Sequence, residues 1–185
     1  LKSMFTLNPQ TNRYDYDGDL KKNDLSILVS EDKDGFIINF GKVTGDFNCC
    51  GLGLKSLKGA PQEVGRNFNC NYNKLTSLEG APREVVKDFS CYGNRLISLK
   101  GAPQMVGGSF NCSYTQLTSL KVVPQEVGGS FYCSGNRLTS LEGAPTEVDG
   151  SFNCYENQLT SLKGAPIKVG KHFICSNNKL SSLEG

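Results

Sequence analysis

The residues of this chain that could do chemistry are eight cysteines, one histidine and a run of alternating aspartates. Seven of the cysteines, Cys49, Cys70, Cys91, Cys112, Cys133, Cys154 and Cys175, fall at intervals of 21 residues. Such spacing could serve a disulfide framework, a metal site or a repeated core position. In coils stacked about 4.8 Å apart, equivalent thiols point the same way rather than toward one another, which is poor disulfide geometry. A tetrahedral zinc site needs ligands that converge on a point, and a straight row does not converge. There is no Cys-x-x-Cys pair, and His172 is the only histidine. The row is therefore read as small apolar core residues, and free thiols of that kind suit a reducing compartment. Cys50 follows Cys49 directly and faces the other side of its strand. Its neighbours Gly51 and Leu52 offer no base to activate it, so it is read as a tolerated surface thiol. Asp15, Asp17 and Asp19 are spaced as in a calcium-binding loop, but Leu20 stands where that loop needs Gly and Ser26 where it needs Glu. No metal or cofactor is assigned. No nucleophile–base pair, carboxylate pair or phosphate loop is present, so no catalytic residue is expected.

The elements that carry these cysteines repeat with them. A Phe precedes each ladder cysteine by two (Phe47, Phe68, Phe89, Phe110, Phe131, Phe152 and Phe173), and a Val precedes it by six, from Val43 to Val169. Leucines follow at five and eight residues, from Leu54 and Leu57 to Leu180 and Leu183, with Ser before the second. The unit reads V-x-x-x-F-x-C-x-x-N-x-L-x-S-L-x-G-A-P-x-x, with six complete copies and a seventh that stops at Gly185, where no cap is seen. A unit this short cannot bury its own apolar side, so the period alone predicts a solenoid. Phe-x-Cys alternates with period two, which predicts a short strand with Phe and Cys on the inner face. Gly-Ala-Pro turns the chain, and no stretch has the length or period of a helix. The Asn three residues after Cys recurs at 73, 94, 136, 157 and 178 and is expected to bond the backbone of neighbouring turns. Leu52 and Thr115 interrupt it, and Val122-Val123 replaces Gly-Ala. The first coil is expected to turn differently, and a local distortion is expected near Thr115 and Val122.

If Phe and Cys point inward, the residues beside them point out. All five tyrosines of the repeat region lie within two positions of a ladder cysteine, whereas all seven Phe are placed inside. Tyr presents a ring to stack and a hydroxyl to bond, and Tyr, Asn, Ser and Gly compose many binding loops. The candidate binding residues are Asn69, Asn71, Tyr72, Tyr92, Asn111, Tyr114, Tyr132, Asn153 and Tyr155. A basic row, Lys74, Arg95, Gln116, Arg137, Gln158 and Lys179, runs beside them and is read as a solvated edge.

The unit resembles the leucine-rich repeat, whose signature L-x-x-L-x-L-x-x-N-x-L lies over V-x-x-x-F-x-C-x-x-N-x-L with the first apolar residue one position early. The short period and Pro-containing return are similar to the bacterial type found in secreted effectors. The Gly-Ala-Pro and Phe-x-Cys wording is more similar still to repeats encoded by large tailed phages and some environmental bacteria. The resemblance covers about residues 43–185. It implies a mainly β solenoid, a right-handed horseshoe or superhelix with short parallel strands on the concave face, an extended and turn-rich convex side, and little or no helix.

Residues 1–42 lack the repeat and are read as an N-terminal cap, with the apolar stretch from Phe36 to Phe40 covering the first coil. The solenoid spans 43–185. Its open last edge is expected to be covered by further chain or by a partner. Net charge is +2, from 20 basic and 18 acidic residues, which gives no push toward nucleic acid, and no apolar run is long enough to cross a membrane. The expected function is a non-catalytic module that binds a protein partner through the concave β-face. The alternatives are a structural part of a phage virion, tail or other large assembly, the recognition domain of a larger secreted effector enzyme, and a carbohydrate-binding module. The expected location is cytoplasm or virion, with secretion tied to the effector alternative.

Overall fold

A computed structural model describes residues 4–183. The chain winds into a β-solenoid of about six turns. Each coil contributes two very short parallel strands to two rows. The first row runs through Phe47–Asn48 and Phe68–Asn69 to Phe173–Ile174 and forms one seven-stranded sheet in which every Phe pairs with the Phe one coil away. The second row is built from the pair that ends in the repeat's Val: Glu63–Val64, Glu84–Val85, Met105–Val106 and Glu126–Val127. The sequence reading placed strands only at Phe-x-Cys and left the return side extended. The second ladder forms because Val64 and its equivalents are buried as one row, and the same 21-residue offset brings their backbones into register.

The two ladders bond in opposite senses. In the Phe row each coil donates forward, as in Phe47 N–H to Asn67 O and Cys49 N–H to Asn69 O, both 2.8 Å. In the Val row each coil donates back, as in Gln62 N–H to Gly41 O (2.9 Å) and Gly65 N–H to Val43 O (2.8 Å). Adjacent coils are thus tied on two sides, which satisfies the backbone of strands only two residues long.

The core is a set of straight rows. Phe47 to Phe152, Cys49 to Cys154 and the repeat's paired leucines from Leu54 to Leu159 are fully buried. Successive Phe rings lie 5.3–5.5 Å apart with planes within 15° of parallel. The stacking follows from the coil repeat, because identical side chains one rise apart meet face to face with a small offset. The seventh ring departs from the expectation that all lie inside: Phe173, in the last described coil, is 36% exposed, because nothing in the described chain packs on its far side.

Asn73, Asn94, Asn136, Asn157 and Asn178 hold the turns together. The amide of Asn73 donates to Cys49 O (2.9 Å) in the previous coil and Cys70 O (3.0 Å) in its own, while its carbonyl accepts from Leu54 N–H (2.9 Å). Asn94, Asn136, Asn157 and Asn178 repeat the pattern. Thr115 sends its hydroxyl to Asn136 Oδ1 at 2.7 Å instead. In the first coil Leu52 packs partly against the core, and both Gly51 and Gly53 take positive φ, a turn unlike the others.

The chain before Val43 continues the winding. Strands β1 (Thr6–Asn8) and β2 (Arg13–Tyr16) form an antiparallel pair, and β2 joins β3 (Phe40–Val43) at the end of the Val row. The one helix among the described residues, α1 (Lys22–Ser26), buries Leu25. Phe36 and Phe40 pack edge-on against Phe47, with centroids 5.5 and 5.3 Å away. The aspartate run is structural. Asp15 accepts from Lys42 N–H (2.7 Å), Asp17 from the Thr44 hydroxyl (2.6 Å) and Asp19 from Asp46 N–H (2.8 Å). Asp19 starts a side-chain ladder that runs on through Asp46, Asn67 and Asp88 and then Ser109, Ser130 and Ser151, each accepting from the next coil's backbone.

Candidate functional site

The turn after each ladder cysteine decides what the solenoid shows to solvent. The second residue past each of these cysteines has positive φ in all seven coils: Gly51, Tyr72, Gly93, Tyr114, Gly135, Glu156 and Asn177, at 53–69°. Gly and Asn suit that left-handed conformation, and larger L-residues enter it only against steric opposition. Three coils use Gly and one uses Asn, but Tyr72, Tyr114 and Glu156 sit there with large side chains. Tyr72 is 61% exposed and Tyr114 44%.

Glycine alternates with tyrosine for a physical reason. A Cβ on Gly93 would lie 2.9 Å from the Tyr72 ring, and one on Gly135 only 2.5 Å from the Tyr114 ring. Each ring therefore lies over the glycine of the next coil. Tyr92 sits one position earlier in its own coil and fills the gap, with centroids 5.2 Å from Tyr72 and 5.3 Å from Tyr114. Three rings from three coils make one ridge. Partial desolvation and the neighbouring Tyr72 raise the Tyr92 phenol pKa. Tyr114 reaches across Gly135 to donate to Glu156 Oε2 (3.1 Å), which raises its pKa too. Beyond it the Tyr155 hydroxyl accepts from Asn177 Nδ2 at 2.8 Å.

The other candidates divide. Asn69, Asn111 and Asn153 turn their carbonyls back onto the backbone two residues ahead, each at 3.0 Å, and so shape the turn. Asn71 accepts from the Ser90 hydroxyl (2.6 Å) and Tyr92 N–H (2.8 Å), which anchors the base of the ridge. Tyr132 lies on the outward side of the Phe strand, where it pairs in register with Asn111 and Asn153, and is not part of the ring series. The ring contacts thus join Tyr72, Tyr92 and Tyr114 and leave Tyr132 apart. Glu156 and Asn177 were missed by sequence reasoning, although the alternation of Gly and Tyr at one coil position carried the signal.

The basic row runs beside the ridge, two residues further along each turn. Lys74, Arg95, Arg137 and Lys179 form no ion pair among the described residues, whereas the five ion pairs present all lie elsewhere on the coil. Counting the six positions after each ladder cysteine gives five cations (Lys55, Lys74, Arg95, Arg137, Lys179) against one acid, Glu156.

Six of the ladder thiols, from Cys49 to Cys154, are buried. Burial pushes Cys49, Cys70, Cys91, Cys112 and Cys133 well above the ordinary thiol value and Cys154 up to about 12. All eight cysteines are unbridged, and Cys50 and Cys175 are the ones partly exposed. Among the described residues no group of three His, Cys, Asp or Glu could hold a metal ion, and no helix is long and apolar enough to cross a membrane. Compared with known protein families, curated proteins and solved structures, the chain matches none of them.

Proposed function

We propose that this solenoid is a non-catalytic binding module that holds a protein partner against the ridge of Tyr72, Tyr92 and Tyr114. The observation that carries the reading is the backbone under two of the three rings. Tyr72 and Tyr114 occupy left-handed positions that other coils give to Gly or Asn. Conformational strain that core packing does not require is a pointer to function. Exposed, rigid tyrosines are common anchors of protein interfaces, with large contact area and few rotatable bonds. The free cations of the adjacent row favour a partner with an acidic face.

In this proposal the coil belongs with the leucine-rich repeats of the bacterial and phage kind. The matching spacing from Phe to the Leu five residues after Cys supports it, as does the asparagine ladder that closes five of the turns. The buried thiols favour a reducing compartment.

The test is the triple variant Tyr72→Gly, Tyr92→Ala, Tyr114→Gly, compared with wild type as bait in affinity capture with identification by mass spectrometry. Because Gly already occupies the same position in other coils, the variant should keep its circular dichroism and melting temperature within a few degrees. It is expected to lose partners that wild type retains. A partner set unchanged in the folded variant overturns the assignment of this ridge.

A further inference from the structure

A second departure from the repeat lies on the Val row, away from the tyrosines. The outward residue of that row reads Lys42, Glu63, Glu84, Met105, Glu126, Glu147 and Lys168. It is symmetric about Met105. The ends neutralise themselves: Lys42 Nζ lies 3.6 Å from Glu63 and Lys168 Nζ 3.2 Å from Glu147. Glu84 and Glu126, on either side of Met105, form no ion pair among the described residues.

The apolar residues gather at the same place. Met105 is 46% exposed at a position that is charged in every other coil. Beside it Val86 is 49% exposed, at a position where the other coils carry Gly65, Gly107, Gly128 and Gly170, or Thr44 and Asp149. Glu84, Val86, Met105, Gly107, Glu126 and Gly128 line a shallow open depression. The glycines keep it open, because coils approach so closely that a Cβ on Gly107 would meet Val86 O at 2.2 Å and one on Gly128 would meet Gly107 O at 2.3 Å. Arg83 and Lys87 of the same coil do not line it.

An apolar floor between two free carboxylates fits one kind of occupant by charge complementarity. Glu84 and Glu126 are two coils apart, roughly 10 Å at ~4.8 Å per coil, a distance that about three residues of extended chain span. We propose that this depression docks an extended segment of a basic partner, in which one apolar side chain covers Met105 and Val86 and a lysine or arginine on each side meets Glu84 and Glu126. The surface is separate from the tyrosine ridge and selects the opposite charge.

A random dodecapeptide library panned on the whole protein tests this, with selected peptides resynthesised and titrated. The expected selection is enriched in sequences with an apolar residue between two cations. Their affinity should fall tenfold or more in Met105→Lys, which puts a cation between the two carboxylates, and in Glu84→Gln/Glu126→Gln. It should be unchanged in Tyr72→Gly/Tyr92→Ala/Tyr114→Gly. All these positions are on the surface, so unchanged melting confirms that each variant folds. A selection without that pattern, or peptides whose binding survives both groove variants, overturns the proposal.

Discussion

The two sides of one strand obey different rules. On the inner side of the Phe row, Phe and Cys recur unchanged in seven coils, and six of the seven rings are fully buried. On the outer side and in the turn that follows, the same seven coils carry Asn, Ser, Tyr, Ile, Cys, Gly and Glu. An inner side chain must match the coil before it and the coil after it, so each Phe constrains the next through a stack 5.3–5.5 Å deep. Outer side chains share no such continuous stack, and among the described residues their rings meet only from Tyr72 through Tyr92 to Tyr114. Repetition therefore marks what holds the solenoid together, and variation marks where it could meet something else.

The inner rows should fail together at high pH, and this is the largest effect expected. Six buried thiols, Cys49, Cys70, Cys91, Cys112, Cys133 and Cys154, have pKa values raised by burial in the folded chain. Below the unfolded thiol pKa, near 9, both states are protonated and the stability they give is fully present. Above it the unfolded chain loses protons that the folded chain keeps, so stability falls until the folded pKa values are passed. Each cysteine adds a slope of at most about 1.4 kcal/mol per pH unit. Six together give roughly 8 kcal/mol per unit, comparable with the whole stability of a typical domain. Urea melts should give constant stability from pH 6 to 8 and cooperative unfolding within about two units above pH 9. Replacing Cys91 and Cys112 by Ala should make the alkaline slope shallower by about a third. An unchanged slope would mean that the thiols are not the groups that titrate.

Position along the row should matter next. Phe110→Ala removes a ring with a stacked neighbour on each side and should destabilise by about 3–5 kcal/mol. Phe173→Ala removes a ring with one stacked neighbour and 36% exposure, and the loss should be about half as large or less. Equal losses in denaturant melts would contradict a stack in which each ring depends on both neighbours.

The period, the strand at Phe, the inward cysteines and the asparagine bonds were legible in the sequence, because each is a pattern repeated at one spacing. The second ladder was not, since a strand of two residues such as Glu63–Val64 leaves no alternation to read. Its Val looked like the first apolar residue of the Phe segment. Among the candidate site residues, composition pooled Tyr132 with Tyr72, Tyr92 and Tyr114. The structure separates them, because Tyr132 lies in the Phe strand before the cysteine, whereas Tyr72, Tyr92 and Tyr114 lie one or two positions after it, in the turn where their rings meet. The partners of the aspartate run at Asp15, Asp17 and Asp19 were not legible either, because Lys42, Thr44 and Asp46 lie 27 residues away and follow a spacing unlike the repeat.

The smallest effect belongs to the coil where Val122 replaces the glycine that begins the return. Gly59, Gly80, Gly101, Gly143 and Gly164 begin the return with φ between 82° and 93°, and Val122 holds the equivalent place at 68°. A β-branched side chain is rarely tolerated there. In the glycine coils the next residue closes a turn, as in Ala102 N–H to Leu99 O and Ala144 N–H to Leu141 O, both 2.9 Å. Val123 makes no such bond to Leu120, and Gln125 and Thr146 lack the backbone rungs that Gln104 and Ile167 form with the preceding coil. The Val row divides there, between Glu126–Val127 and Glu147–Val148. Val122→Gly should relieve about 1 kcal/mol of backbone strain and recover about 1 kcal/mol from a restored turn bond, against up to ~1 kcal/mol lost to the freer unfolded chain. The net expectation is a gain of about 1 kcal/mol in urea melts, with slower hydrogen exchange at the Val123, Gln125 and Thr146 amides. Stabilisation without that local protection would place the gain in the strain alone. A loss of stability would show that the coil depends on Val122, and that the outer residues of this turn are held as firmly as the inner ones.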